Sequence, residues 1–141
     1  MRTGYAQSFR DLRVYQKSRE VSRMVFRLSK AFPKEEMYSL TDQMHRAARS
    51  VGAQIAEAWG KRRYERHFVS KLTDADAEQM ETQHWVSEAM DCGYISLDDA
   101  VALNAVFHDA KRRHFLRSPD GVVREDAAEY FTDHSSLITE H

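Results

Sequence analysis

The sequence predicts an all-α protein, an up-down-up-down antiparallel four-helix bundle, and three observations support that expectation. Apolar residues recur at three- and four-residue steps in four long segments, a spacing that aligns them along one inward stripe of a helix. Only 5 glycines and 2 prolines occur in 141 residues, and they fall mainly where those segments end. No β-alternation of useful length interrupts the pattern, and short connections join the segments, as neighbours in an antiparallel bundle require.

The first helix is expected from about Phe9 or Leu12 to Phe32. Val14, Val21, Val25, Leu28 and Phe32 form its stripe, and Pro33 stops it. The second starts within residues 34–39, where Glu35 and Glu36 suit a positive helix N-terminus, and runs to about Lys61 with Gly60 near its end. Leu40, Met44, Ala47, Val51, Ile55 and Ala58 face inward, while Ala48, Ala53 and Ala56 lie off that stripe and would let another helix or subunit approach closely. The third occupies about Tyr64 to Cys92, some 40 Å at about 1.5 Å per residue. Phe68, Leu72, Ala75, Val86 and Ala89 point inward there, and Gly93 is the stop. Ser96-Leu-Asp-Asp reads as a capping box with Asp99 in place of the usual Glu. It opens a fourth helix with Ala100, Leu103, Val106, Phe107 and Ala110 on its apolar face and Lys111, Arg112 and Arg113 at its negative end. The turn Ser118-Pro-Asp-Gly121 closes a bundle domain spanning residues 1–118. Residues 119–141 are expected as a tail, partly disordered or docked on a neighbouring subunit, with room for a short helix around Glu125–Phe131.

The length suits one domain able to bury its own core. A single cysteine, Cys92, leaves no internal disulfide to form and gives no sign of an oxidising compartment. With no signal-like N-terminus and no apolar run of membrane-spanning length, a soluble cytoplasmic protein is expected, without membrane contact. The net charge of −1 hides a polarity along the chain. Residues 1–71 carry 16 Lys+Arg against 7 Asp+Glu, whereas residues 72–141 carry 5 against 15. Such halves either neutralise each other as packed helices or leave a basic face for an anionic partner.

Three linked stretches are familiar in combination: Ser8-Phe-Arg-Asp-Leu-Arg-Val-Tyr-Gln-Lys17 with Val25-Phe-Arg-Leu-Ser-Lys-Ala-Phe-Pro33; Gln43-Met-His-Arg-Ala-Ala-Arg-Ser-Val51 through Ile55-Ala-Glu-Ala-Trp59; and Phe68-Val-Ser-Lys-Leu-Thr-Asp-Ala-Asp-Ala-Glu78 with Glu81-Thr-Gln-His-Trp85 and Cys92-Gly-Tyr-Ile95. From Ser8 to Leu116 the chain resembles the four-helix bundle proteins known as 23S rRNA intervening-sequence proteins. It departs from them at Gly52 and Gln54, where much of that family has proline and asparagine. The resemblance implies a homopentameric barrel of bundles and reading frames found within insertions in bacterial large-subunit rRNA genes. It also implies kinship with accessory subunits of the reverse transcriptases of diversity-generating retroelements, whose basic surface engages nucleic acid and the polymerase. It implies no defined enzymatic activity.

Among candidate sites, the basic cluster Lys61, Arg62, Arg63 and Arg66, with Tyr64 among its charges, is the best anion-binding candidate. In a five-fold assembly its copies would share one rim and multiply a weak phosphate affinity. The plainer reading is a solvated connection countering the second helix's C-terminal dipole. Glu57 and Glu81 sit among small or apolar neighbours and are expected to be partly buried, each bonded to an arginine or a backbone donor. Arg46 and Arg49 are the plausible partners, and all four residues are assigned to register and assembly rather than catalysis. Asp42-x-x-His45 and Glu81-x-x-His84 echo a di-metal bundle, but Glu20 and Asp109 complete the ligand set poorly, so no metal is expected. Cys92 reads as packing. No phosphate loop, nucleophile elbow or zinc-type cysteine pair occurs, so neither catalytic residues nor a cofactor is expected.

The leading expectation is a non-enzymatic oligomeric adaptor or scaffold that engages RNA, DNA or a reverse transcriptase through the basic rim. A purely structural interaction module is the alternative, and a metal-dependent bundle enzyme the remote one. The sequence pI of about 6.7 argues against strong autonomous nucleic-acid binding.

Overall fold

The first helix is entered through a small hydrogen-bonded clasp. A computed structural model describes residues 6–111, 114–117 and 123–126, with side-chain detail for residues 6–107. Ser8 Oγ accepts the Arg10 N–H at 3.1 Å, and the Asp11 carboxylate accepts the N–H groups of Gln7 and Ser8 at 2.9 and 3.1 Å. This capping box closes a 3-10 turn over Phe9–Asp11 and turns Leu12, 2 % exposed, into the core.

Helix α1 then spans Arg13–Ser29. The expected end at Phe32 falls three residues late, because Ala31 and Phe32 make tight bonds to Leu28 and Ser29 ahead of Pro33, which disfavours helical geometry before it. A 3-10 turn over Lys34–Glu36 leads to α2, Leu40–Gly60. Ser39 precedes α2 without capping it, since its hydroxyl donates instead to Glu36 Oε1 at 2.6 Å.

Helix α3 covers Glu65–Asp91. It stops in a Schellman motif: Gly93, at φ +75°, donates its N–H to Met90 O, and Tyr94 donates to Ala89 O, each at 2.9 Å. Helix α4, Leu97–Lys111, begins where Ser96 Oγ accepts the Asp99 N–H at 3.1 Å. Two short strands follow, β1 (His114–Arg117) and β2 (Val123–Asp126), paired antiparallel with His114 opposite Asp126 and Arg117 opposite Val123. This ladder corrects the first two residues of the short helix expected around Glu125–Phe131, since Glu125 and Asp126 are extended and paired with Phe115 and His114; residues 127–131 lie outside the described residues. Residues 127–141, and with them most of the expected tail, lie outside the described residues.

The inward stripe read for α2 holds throughout: Leu40, Met44, Ala47, Val51, Ile55 and Ala58 are all buried. Ala48, expected off that stripe, is 1 % exposed and belongs to the core. The apolar interior is divided in two. One cluster joins Val21 and Val25 of α1, Met44 of α2, Val86 of α3 and Leu103 and Phe107 of α4. The other joins Leu12, Val51, Ile55, Phe68 and Leu72. Between them lie two buried polar side chains, Ser18 and Gln79, and a cavity of about 10 Å³ touching residues of both clusters, among them Val21 and Val51. Gln79 Nε2 donates to Phe107 O at 3.4 Å, so this polar layer also fastens α4 to α3. Helices α1 and α2 approach closely at Gly52, where an added Cβ would sit 3.1 Å from Ser18 Oγ.

Candidate nucleic-acid interface

The four basic residues singled out in the sequence all lie where α2 passes into α3. Consecutive turns build this connection: Lys61 N–H bonds Ala58 O at 3.0 Å, Arg62 N–H bonds Trp59 O at 3.2 Å, and Tyr64 N–H bonds Lys61 O at 2.9 Å. Arg62 is held inward. Its guanidinium lies 4.2 Å from the Trp59 ring centroid and donates through Nη1 to Trp59 O at 2.9 Å, neutralising carbonyls at the negative end of α2. Arg63 and Arg66 are exposed, Lys61 is half-buried, and Tyr64 stands 69 % exposed between them. The outward part of the cluster is thus Lys61, Arg63 and Arg66 around an aromatic ring, and Arg62 also serves the fold.

The acidic residues behave differently from expectation. Glu57 is about half exposed rather than partly buried, and its partner is Lys71, whose Nζ lies 2.6 Å from Glu57 Oε2 and donates to Gln54 Oε1 at 3.2 Å. Arg49 and Arg46 stand two and three helical turns back along α2, roughly 12 Å or more away at about 1.5 Å per residue, and cannot reach it. The hydrogen bond and charge of Lys71 hold the Glu57 carboxyl below the usual carboxylate range and raise the Lys71 ammonium. Glu81 is exposed as well and accepts the Trp85 indole N–H at 3.2 Å. Its neighbour Glu78 has its carboxyl pushed up by burial and then by the adjacent Glu81 charge. Arg46 pairs with Asp42 one turn away at 3.6 Å, and Arg49 lines a groove between α1 and α2.

The two carboxylate–histidine pairs do not converge. His45 Nε2 lies 2.6 Å from Ser29 Oγ on α1, and His84 faces Glu88 at 3.8 Å on its own helix. Among the described residues no group of three or more His, Cys, Asp or Glu is placed to share a metal ion. Cys92, read as packing, is instead exposed, because the chain turns outward at the end of α3. No helix among the described residues is long and apolar enough to cross a membrane.

Two further polar contacts between elements carry no signal in the sequence. One is Ser29 with His45; the other is Tyr94, whose hydroxyl donates to Glu36 Oε2 at 2.9 Å and is pushed up to about 12, mainly by that bond. Both join residues remote in sequence, so no local pattern marks them. Burial, followed by the nearby Arg49, depresses the His45 imidazole below its ordinary value. The unfolded chain therefore binds the proton more readily, and stability rises with pH. This contribution is intact above the free-imidazole value of about 6.5 and is lost as pH falls through the lower folded value. Urea midpoints measured from pH 8 to pH 5 are expected to fall across that window, and His45→Gln to flatten the fall; an unchanged profile would contradict the assignment.

No match was found among curated proteins. The family described as 23S rRNA-intervening sequence protein matches residues 10–113, covering all of α1, α2, α3 and α4. The chain belongs to the 23S rRNA-intervening sequence protein family.

Proposed function

We propose that this protein is a non-enzymatic helical-bundle scaffold, antiparallel and up-down-up-down, that assembles as a homopentamer and engages RNA or a nucleic-acid-processing partner such as a reverse transcriptase. The observation that carries this reading is the basic connection between α2 and α3, where Arg63 and Arg66 are exposed beside a Tyr64 ring that is 69 % exposed. Cations that bind phosphate and a ring that can stack on a base are the two elements of sequence-tolerant single-strand binding. In a ring of subunits this weak site recurs on one rim and gains by multivalency.

A second reading, a protein-interaction module that binds no nucleic acid, draws on the exposed apolar side chains Phe26, Met37, Met80, Leu97 and Val101, which suit a protein partner or another copy. The two readings separate cleanly in a salt titration. Because Arg62 is fastened to Trp59, the informative variant is Arg63→Glu with Arg66→Glu. Binding of single-stranded RNA is expected to be lost, or its salt slope reduced by about 1.4 for the two contacts, with light scattering unchanged. Unaltered RNA affinity would remove the connection from consideration, and loss of the oligomer would favour the interaction module.

A further inference from the structure

A groove of about 350 Å³ runs along the seam between α1 and α2. Its walls carry Arg19 from α1 and Arg49 from α2, with the rings of Phe9 and Tyr15 at one end. Its depth comes from missing side chains. At Gly52 a Cβ would stand 3.1 Å from Ser18 Oγ and 3.6 Å from the Tyr15 ring, and Ala53 and Ala56 continue the low floor.

Three properties define what such a groove can hold. The first is charge: two guanidiniums line it and no carboxylate does. Lys17, Arg46 and Lys71 each meet a carboxylate, but no ion pair of Arg19 or Arg49 occurs among the described residues. Arg19 is oriented by donating Nη1–H to the Tyr15 hydroxyl at 3.4 Å. The second is aromatic surface. Phe9 and Tyr15 are packed edge to face at 4.9 Å and 81°, which braces the Tyr15 ring for stacking by a planar group. The third is size, since about 350 Å³ falls at the small-molecule end of ligand pockets, roughly 300–1,000 Å³.

We propose that the α1–α2 groove binds one nucleotide unit, free or within a single strand, with its phosphate between Arg19 and Arg49 and its base against Tyr15. Guanidiniums match phosphate oxygens in a planar fork, and stacking on tyrosine tolerates any base. The proposal deepens the nucleic-acid reading and rests on it, but it assigns the contact to a different place from the Lys61–Arg66 connection.

Calorimetry of the full-length protein with 5′-AMP, a short single-stranded oligoadenylate and inorganic phosphate tests it. AMP is expected to saturate one site per chain at low salt, more tightly than phosphate. Arg19→Ala and Arg49→Ala should each weaken AMP by about tenfold or more, the scale of a lost charged hydrogen bond. Ala53→Leu, at an exposed position, should abolish binding with helical circular dichroism unchanged, whereas Lys34→Gln should have no effect. Absence of saturable AMP binding, or AMP affinity indifferent to Arg49→Ala and Ala53→Leu, would overturn the proposal. So would an Ala53→Leu variant that changes oligomeric state while AMP affinity is unaltered, since a second copy would then occupy the groove. Oligoadenylate binding lost in Arg49→Ala but kept in the Arg63→Glu, Arg66→Glu variant supports the groove and removes the α2–α3 connection. The reverse pattern removes the groove alone.

Discussion

Replacing Leu103 with alanine is expected to destabilise the protein by about 2–5 kcal/mol, the range for truncating a large buried aliphatic side chain. Leu103 is fully buried, and it fills the first apolar cluster from α4 among Val21, Val25, Met44 and Val86. Helix α4 is the shortest of the four, 15 residues, and its first turns leave Leu97 and Val101 66 % and 57 % exposed. Among its described side chains, the buried ones that hold it to the bundle are Ala100, Leu103 and Phe107. Little relaxation can refill the space, because the same cluster is closed on its other sides by three longer helices. Urea unfolding should show a lower midpoint at unchanged slope. A loss below about 1 kcal/mol would mean that α4 is not seated as described.

Phe68→Ala should cost about 3–5 kcal/mol, and it tests the other half of the core. Phe68 is 2 % exposed in the first turn of α3, packed with Leu12, Ile55, Ala58 and Leu72. None of these residues belongs to the cluster around Leu103. Substitutions without shared packing partners add to within about 0.3–0.5 kcal/mol. The double variant should thus lose the sum of the two single losses in denaturant titrations. A coupling well above that margin would show that Ser18 and Gln79 transmit packing between the halves instead of separating them.

The helices themselves were legible because their signals are local. Sequence spacing placed the end of α2 within one residue, and the glycine read as the stop of α3 is the one at φ +75°. What the period did not reveal was how the stripes meet. Ala48 lies off the α2 stripe by spacing, yet it is buried, because α1 comes close enough at Gly52 to cover a second side of that helix. The division of the core was equally hidden: Ser18 and Gln79 look like ordinary polar interruptions until four helices bring them to one level. The Ser8–Asp11 clasp could have been found, since it repeats the Ser-x-x-Asp pattern recognised at Ser96–Asp99.

The candidate site was legible in composition but not in geometry. Charge counting located Lys61, Arg62, Arg63 and Arg66, and only the fold sets Arg62 apart by stacking it on Trp59. Sequence pairs Glu57 with arginines of its own helix, whereas its cation comes from α3, 14 positions further along the chain. Arg19 and Arg49 belong to different helices, 30 positions apart, so no motif could have paired them across a groove.

The partition of the core also distributes the two tryptophans of the chain, one to each half. Trp59 packs against the cluster around Phe68 and lies beneath the Arg62 guanidinium. Trp85 packs against the cluster around Leu103, with its indole N–H on Glu81 and the His84 ring at 4.8 Å. The two indoles thus sit in different surroundings, one under a guanidinium and the other hydrogen-bonded to a carboxylate. With Trp59 or Trp85 replaced by Phe, the remaining indole becomes a reporter of one half of the core alone, without any attached label.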